Sequence, residues 1–107
     1  MDGVYNSDMR FPFRDLPIEW SAEKNRQLIR TRGVSFEEVQ QALEDDANIL
    51  DIFPHPNKAA YPNQTILVVN IRNYAYAVPF VQDERKTFLK TIYKSRKFTS
   101  TYLPNKK

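Results

Sequence analysis

The sequence predicts one α+β domain in which two N-terminal helices pack on a four-stranded, mainly antiparallel sheet. Two segments with helical periodicity and capping residues lie between residues 21 and 46, and four strand-like runs follow between residues 49 and 93. The 107 residues fit a single domain. Residues 1–17, which contain Pro12 and Pro17, are predicted to form an irregular arm, and residues 18–107 to form the domain.

The first helix is predicted to begin after Ser21. Serine is a favoured N-cap residue, and Glu23 lies where the helix dipole favours negative charge. Leu28 and Ile29 are expected to form the apolar side of this helix. Gly33 is the expected residue beyond its C-terminus, because glycine adopts the left-handed conformation that ends many helices.

The second helix has a capping box. Ser35 is the predicted N-cap, and Glu38 is placed to reach back to it, while Val34 and Val39 are spaced as a hydrophobic staple. The apolar face is predicted to consist of Phe36, Val39, Ala42 and Leu43. The acidic residues 44–46 oppose the helix dipole, so the helix is expected to end there.

Four runs of β-branched and aromatic residues are predicted to be strands: Ile49–Phe53, Ile66–Ile71, Tyr74–Val81 and Thr87–Tyr93. Residues 72–73 and 82–86 are the expected hairpin connections. The three prolines between residues 54 and 63 predict a loop, and His55 is interpreted as a surface residue of that loop. The tail, residues 98–107, is expected to be exposed and available to pack on the body or on a second subunit.

Composition excludes several classes of function. The absence of cysteine excludes disulfides, thiolate metal sites and a cysteine nucleophile, and a single histidine makes a zinc site improbable. No metal and no cofactor is therefore expected. The sequence has no P-loop and no dinucleotide-binding motif. No long apolar run occurs, so the chain is expected to be soluble and cytoplasmic, without membrane contact.

Charge is distributed unevenly along the chain. Residues 1–63 hold 7 Lys/Arg against 11 Asp/Glu, a net charge of −4, whereas residues 64–107 hold 9 against 2, a net charge of +7. A basic half suggests a surface for a polyanion or an acidic partner. Lysines that guard a solvated sheet edge are the alternative interpretation.

Two blocks resemble a known family. Glu19-Trp20, Lys24-Asn25 and the Gly-Val-Ser-Phe-Glu-Glu segment at 33–38 resemble the N-terminal block of BrnT-type toxins, which are RelE-superfamily ribonucleases paired with a DNA-binding antitoxin. Residues 89–99 are similar to the closing strand of that family, including its Arg-Lys-x-Thr signature. Between these blocks the sequence differs, and Arg32 stands where the family has a histidine before the glycine.

The resemblance implies a RelE-like fold and a metal-independent endoribonuclease that inhibits translation as the toxin of a type II toxin–antitoxin system. Such enzymes act through Arg, Lys and Tyr side chains. The residues predicted to be catalytic are Lys90, Lys94, Arg96 and Lys97. The residues predicted to bind RNA are Lys24, Arg30, Arg72, Tyr76 and Tyr93. Among these, Arg96 and Lys97 are expected to grip phosphate, and a tyrosine is expected to stack on a base.

The implied partners are RNA, on or off the ribosome, and an antitoxin whose flexible segment covers the basic surface. A homodimer and a heterotetramer with the antitoxin both stay open. Two alternatives to an active nuclease also stay open. The basic cluster has neither histidine nor carboxylate, which fits a non-catalytic RNA- or protein-binding module. A catalytically decayed toxin homologue is the other.

Overall fold

The computed structural model describes residues 13 and 16–104, and the predicted arm lies almost wholly outside this range. The α+β class is confirmed, with three helices and a mixed six-stranded sheet in the described residues. The helices are α1 (Ala22–Arg32), α2 (Phe36–Ala42) and α3 (Arg96–Tyr102). The strands are β1 (Ile18–Trp20), β2 (Ile49–Pro54), β3 (Thr65–Ile71), β4 (Tyr74–Gln82), β5 (Thr87–Leu89) and β6 (Tyr93–Lys94). A 3₁₀ turn, Asp46–Asn48, precedes β2.

The predicted caps of α1 and α2 are confirmed. Ser21 accepts a hydrogen bond from the backbone N–H of Lys24 at 3.1 Å, and Gly33 ends α1 with a φ of 67°. Both halves of the capping box between Ser35 and Glu38 form. The second helix ends at Ala42, before the acidic run, as the dipole argument predicts.

Of the two residues predicted to form the apolar side of α1, one is buried and the other is exposed. Leu28 is 1% exposed, but Ile29 is 50% exposed. The second inward position belongs to Asn25, which is 7% exposed and lies three residues before Leu28, so both share one helical stripe. Its side-chain oxygen accepts from the backbone N–H of Phe36 at 2.8 Å, and its nitrogen donates to Glu37 at 2.7 Å. Asn25 therefore ties α1 to the first turn of α2.

The sheet has more strands than the four predicted. Its order is β1-β5-β4-β3-β2, with β6 also paired to β4. The sequence analysis did not identify β1, which runs parallel to β5, while the other pairs are antiparallel. The β3–β4 hairpin forms around residues 72–73 as predicted, and both turn residues have positive φ.

The predicted strand Thr87–Tyr93 is broken into β5 and β6. Phe80 pairs with Leu89 and Tyr76 pairs with Lys94, so the last strand holds one more residue than β4 over this stretch. The break lies beside Pro79, whose carbonyl accepts from the backbone N–H of Lys90 at 2.8 Å. Because proline has no N–H to return to the neighbouring strand, a bulge at this position is the expected outcome.

The two sheet faces carry separate cores. The larger core holds residues from α1, α2 and the sheet, including Leu28, Phe36, Val39, Leu67, Val69, Tyr76, Val78, Phe80 and Leu89. The smaller core is built on Ile66, Val68 and Ala75 of the opposite face and is covered by Phe98 and Tyr102 of α3. The helices predicted to share one face do so, but a third helix covers part of the other.

Residues 98–102 of the predicted tail form most of α3 and pack on the body, which is one of the two arrangements that the sequence left open. Thr99 accepts from the backbone N–H of Ala75 at 2.9 Å, and the Phe98 ring lies 5.9 Å from the Phe53 ring. The Tyr102 hydroxyl donates to the Asp51 carboxylate. None of the helices in the described part of the chain has the length and apolar character needed to cross a bilayer.

Replacing Asn25 by alanine should destabilise the fold by about 1–3 kcal/mol, because the backbone N–H of fully buried Phe36 would lose its acceptor. Urea unfolding followed by circular dichroism measures this loss. Gln27→Ala, on the exposed side of the same helix, should stay within about 0.5 kcal/mol of wild type. Equal unfolding free energies for the two variants would contradict the assigned role of Asn25.

The hydrogen bond from Tyr102 to Asp51 raises the pKa of the Tyr102 hydroxyl above its ordinary 10.0. The bond therefore contributes stability that is complete below pH 10.0 and is lost as pH rises through the pKa of the folded state. Tyr102→Phe should cost about 1 kcal/mol at neutral pH, and this difference should shrink above pH 10.0. Unfolding at several alkaline pH values tests this, with Tyr61→Phe in the exposed loop as control; a pH-independent difference would refute it.

Candidate functional site

The strongest concentration of functional side chains lies at the outer edge of β6. Because β1 pairs with β5 only as far as Leu89, β6 lies beyond the reach of β1. Arg32, the last residue of α1, occupies this space. Its guanidinium donates to the carbonyl of Ile92 at 2.6 Å and lies 5.0 Å from the centre of the Tyr93 ring. The Tyr93 ring is 49% exposed, so a cation and an accessible aromatic surface meet here.

A second cation–ring pair lies on the same edge strand but on the opposite sheet face, because Lys94 pairs with Tyr76 of the larger core whereas Tyr93 pairs with Ala77, which packs on the smaller core. The Lys94 ammonium is 4.8 Å from the centre of the Tyr74 ring, which in turn lies 5.9 Å from the Tyr76 ring. Tyr76 is only 6% exposed and belongs to the larger core, so of the two tyrosines predicted as candidates for stacking on a base, only Tyr93 is accessible. Tyr74, which is half-buried, and Tyr93 are the rings that reach the surface.

Arg96 and Lys97 follow β6, as predicted, and form the first turn of α3, a helix that was not predicted. Both are exposed. Ser95 caps the helix, and its backbone N–H donates to the carbonyl of Ala75 at 3.0 Å, which fixes this turn to β4. Cations are unfavourable at the N-terminus of a helix, so helix stability does not account for these two residues.

We call this surface the basic rim, composed of Arg32, Tyr74, Tyr93, Lys94, Arg96 and Lys97. Its members come from the last residue of α1, the start of β4 and the segment that joins β6 to α3. Residues 85–97 hold six Lys/Arg and no Asp/Glu, so no local carboxylate from this stretch neutralises the rim. The rim can hold an anion and present two aromatic faces.

Lys90, predicted to be catalytic with the rim lysines, lies apart from them. Its ammonium is 5.5 Å from the centre of the Phe88 ring, on the part of the sheet that β1 and β5 form. The bulge beside Pro79 separates Lys90 from Lys94 and removes the regular alternation that the prediction assumed.

Arg72, predicted to bind RNA, is occupied by contacts within the protein. It adopts a φ of 54°, forms an ion pair with Glu38 and donates to the carbonyl of Gly33 at 3.2 Å. Left-handed backbone is costly for a side chain such as arginine, by about 1–2 kcal/mol. These contacts connect the hairpin tip to the corner between α1 and α2, so we assign Arg72 a structural role.

Lys24 and Arg30 lie in a polar groove of about 490 Å³ whose lining comes from Ser21 and α1 alone. This groove shares no lining residue with the basic rim, so the two predicted RNA-binding residues are not brought into one site with Arg96 and Lys97. Arg30 and Arg32 are two residues apart on α1, a spacing at which helical side chains do not face each other, so Arg30 is not part of the rim.

Two groups with displaced pKa values lie outside the rim. The pKa of Asp83 is lowered, first by hydrogen bonds from the backbone N–H groups of Arg85 and Lys86. The pKa of Tyr102 is raised by its bond to Asp51. His55 is half-buried in its loop, where its Nδ1 accepts from the backbone N–H of Asn57 at 3.0 Å. Residues 13 and 16–104 contain no cluster of three or more potential metal ligands.

Sequence reasoning did not select Arg32 and Tyr74 as site residues. Arg32 precedes the glycine that ends α1, so its end-of-helix position is evident from the sequence, but its contact with Ile92 spans distant segments. Tyr74 follows the hairpin turn, and only the pairing of β6 with β4 brings Lys94 to it.

No protein-family model matches this chain. Comparison with curated proteins gives no match, and comparison with solved structures gives none. The assignment of function therefore depends on the geometry of the rim and on the sequence resemblance.

Replacing Arg32 by methionine keeps the aliphatic stem but removes the guanidinium that holds the Ile92 carbonyl. We expect the free energy of unfolding to fall by about 1 kcal/mol. A buried hydrogen bond to a charged group would contribute more, but Arg32 is exposed and its charge is screened by solvent. Hydrogen exchange should accelerate at residues 92–94 and stay unchanged in β3. Arg30→Met is the matched control, and unchanged exchange in β6 of the Arg32 variant would contradict the bracing role.

Proposed function

We propose that this chain is the toxin of a bacterial type II toxin–antitoxin system and that it cleaves RNA without a metal ion, inhibiting translation in the cytoplasm. The basic rim carries this proposal, since it combines four cations with two accessible tyrosine rings. The resemblance of residues 19–38 and 89–99 to BrnT-type toxins also supports it. The α+β architecture is compatible with the RelE-like fold that the resemblance implies.

Cleavage of RNA without a metal requires that the 2′-hydroxyl lose a proton, that charge on the phosphorus be stabilised, and that the leaving 5′-oxygen gain a proton. In this proposal Arg96 and Lys97 hold the phosphate, where Arg96 can grip two oxygens at once. Tyr93, whose ring is braced by Arg32, stacks on an adjacent base. Lys94 supplies further positive charge and is the proposed proton donor to the leaving oxygen, while the proton of the 2′-hydroxyl passes to solvent water, because the rim has no histidine or carboxylate to accept it.

The proposed partners follow from the same surface. RNA is the substrate, presented free or on the ribosome. The antitoxin offers a flexible acidic segment that folds over the rim and blocks access to it.

A second function is favoured by one specific feature. None of the six rim residues is a histidine or a carboxylate, the usual groups that take a proton near neutral pH. A module that binds RNA and leaves it intact therefore also fits the rim. The two functions differ in one observable: the length of the RNA after incubation.

Expression of the chain alone in bacteria should arrest growth, and the double variant Arg96→Ala/Lys97→Ala should restore it. With purified protein, RNA cleavage by the double variant should be slower by about 100-fold or more, because two groups that stabilise the charged phosphorus are removed. Growth and gel analysis of RNA are the measurements.

The matched control is Arg26→Ala/Lys58→Ala, which removes two exposed cations elsewhere and should remain toxic. Soluble, folded wild-type protein that neither arrests growth nor shortens RNA would refute the nuclease. Intact RNA that is bound with strong salt dependence would establish the binding module instead.

A further inference from the structure

The second sheet face is only partly covered by α3. Leu89 is buried in the larger core, so its neighbour Phe88 points to the opposite face, where it pairs with Val81 of β4 and Glu19 of β1. The core beneath α3 includes Ala75 and Ala77 of β4 but neither Val81 nor Phe88. Val81 and Phe88 are both half-buried, so the described residues leave this half of the face open to solvent.

Two lysines flank the Phe88 ring. The ammonium groups of Lys86 and Lys90 lie 5.9 and 5.5 Å from its centre. Lys86 is paired with Glu19 at 3.1 Å, whereas Lys90 is exposed and begins the basic stretch that continues to Lys94 and the rim. Residues 90–94 therefore connect the open face, at Phe88, to the basic rim along the chain.

Beside the ring is a small depression of about 190 Å³ lined by residues 81–83, Lys86 and Phe88. Pockets that hold whole drug-sized ligands measure roughly 300–1,000 Å³. This depression therefore suits one planar ring system and not a complete ligand. An aromatic side chain next to a cation on a sheet face is a common platform for an unpaired nucleobase.

We propose that Phe88 is a stacking platform for one base of single-stranded RNA, a nucleotide that flanks the phosphate held at the basic rim. Lys90 contacts the phosphate between the two positions, and Lys86, already neutralised by Glu19, frames the ring. The proposal rests on RNA being the ligand of the rim. Duplex RNA does not fit, because its bases are stacked inside the helix and only an unpaired base can lie on the ring.

The test uses a fluorescein-labelled 2′-O-methyl oligouridylate of about 12 nucleotides, within the site sizes of single-strand binders. The methyl group blocks the 2′-hydroxyl, so binding is measured without cleavage. Phe88→Leu should weaken binding about five-fold or more, as expected for the loss of one stacked base, while Phe88→Tyr keeps the ring and should bind as wild type. Thermal unfolding verifies that both variants are folded.

Salt dependence separates stacking from charge. Phe88→Leu should leave the slope of log affinity against log salt unchanged, whereas Arg96→Ala/Lys97→Ala should reduce it, by about 0.7 for each phosphate that the protein no longer neutralises. Inorganic polyphosphate, which has no bases, should bind wild type and Phe88→Leu equally. Ultraviolet cross-linking of the oligonucleotide, followed by mass spectrometry, should place a cross-link on the peptide that contains Phe88.

The outcomes separate the platform from the proposed function. Wild-type affinity in Phe88→Leu, with weakened binding in Arg96→Ala/Lys97→Ala, overturns the platform and leaves the rim as the RNA site. Cross-links confined to Tyr93 lead to the same conclusion. If wild-type protein binds polyphosphate but not the oligonucleotide, both proposals fall together.

Discussion

The side-chain amide of Asn25 is the interaction on which the arrangement of this protein depends. It joins α1 to the first turn of α2 inside the larger core, where an unpaired amide would be costly. With the left-handed Gly33, it fixes the corner between the helices. Two long-range contacts start at that corner: Arg72 reaches back to Gly33, and Arg32 reaches the Ile92 carbonyl. The corner therefore sets the position of the cation that braces the rim.

The features that sequence analysis predicted correctly are determined by neighbours in the chain. The cap at Ser21, the capping box after Ser35 and the turn at residues 72–73 each depend on groups only a few residues apart. Pairings between distant segments were not predictable in the same way. A run as short as β1 has no periodicity of its own, and it is a strand because β5 provides its partner. Ile29 was assigned to the buried side by hydropathy, but the position of α2 decides that Asn25 is buried and Ile29 is exposed.

The errors at the candidate site arise from contacts with distant parts of the sheet, and the first of these is the second sheet face. Arg96 to Tyr102 is rich in Thr and Ser, which are weak helix formers, so no helix was predicted. The helix forms because Phe98 and Tyr102, one turn apart, pack on that face. The break in the last strand likewise depends on the missing N–H of Pro79 in the neighbouring strand. As a result, the sequence predicted a group of neighbouring cations, but it did not predict which of them lie at the rim and which lie near Phe88.

The sheet edges show which of the rim cations can be explained by protection of an unpaired strand. At the β2 edge, the outward N–H of Ile52 bonds to the Asp51 carboxylate at 2.8 Å, and Pro54 has no N–H, so this edge offers few free donors to another strand. At the β6 edge, Arg32 covers the Ile92 carbonyl in a comparable way. Protection of the sheet edge is therefore enough to explain why a cation is present at Arg32. The same explanation applies to Lys94, which lies on the edge strand itself. It does not account for Arg96 and Lys97, which lie on a helix, where the dipole disfavours them. The anionic ligand proposed above would account for them, and these two residues most strongly distinguish the rim from a solvated sheet edge.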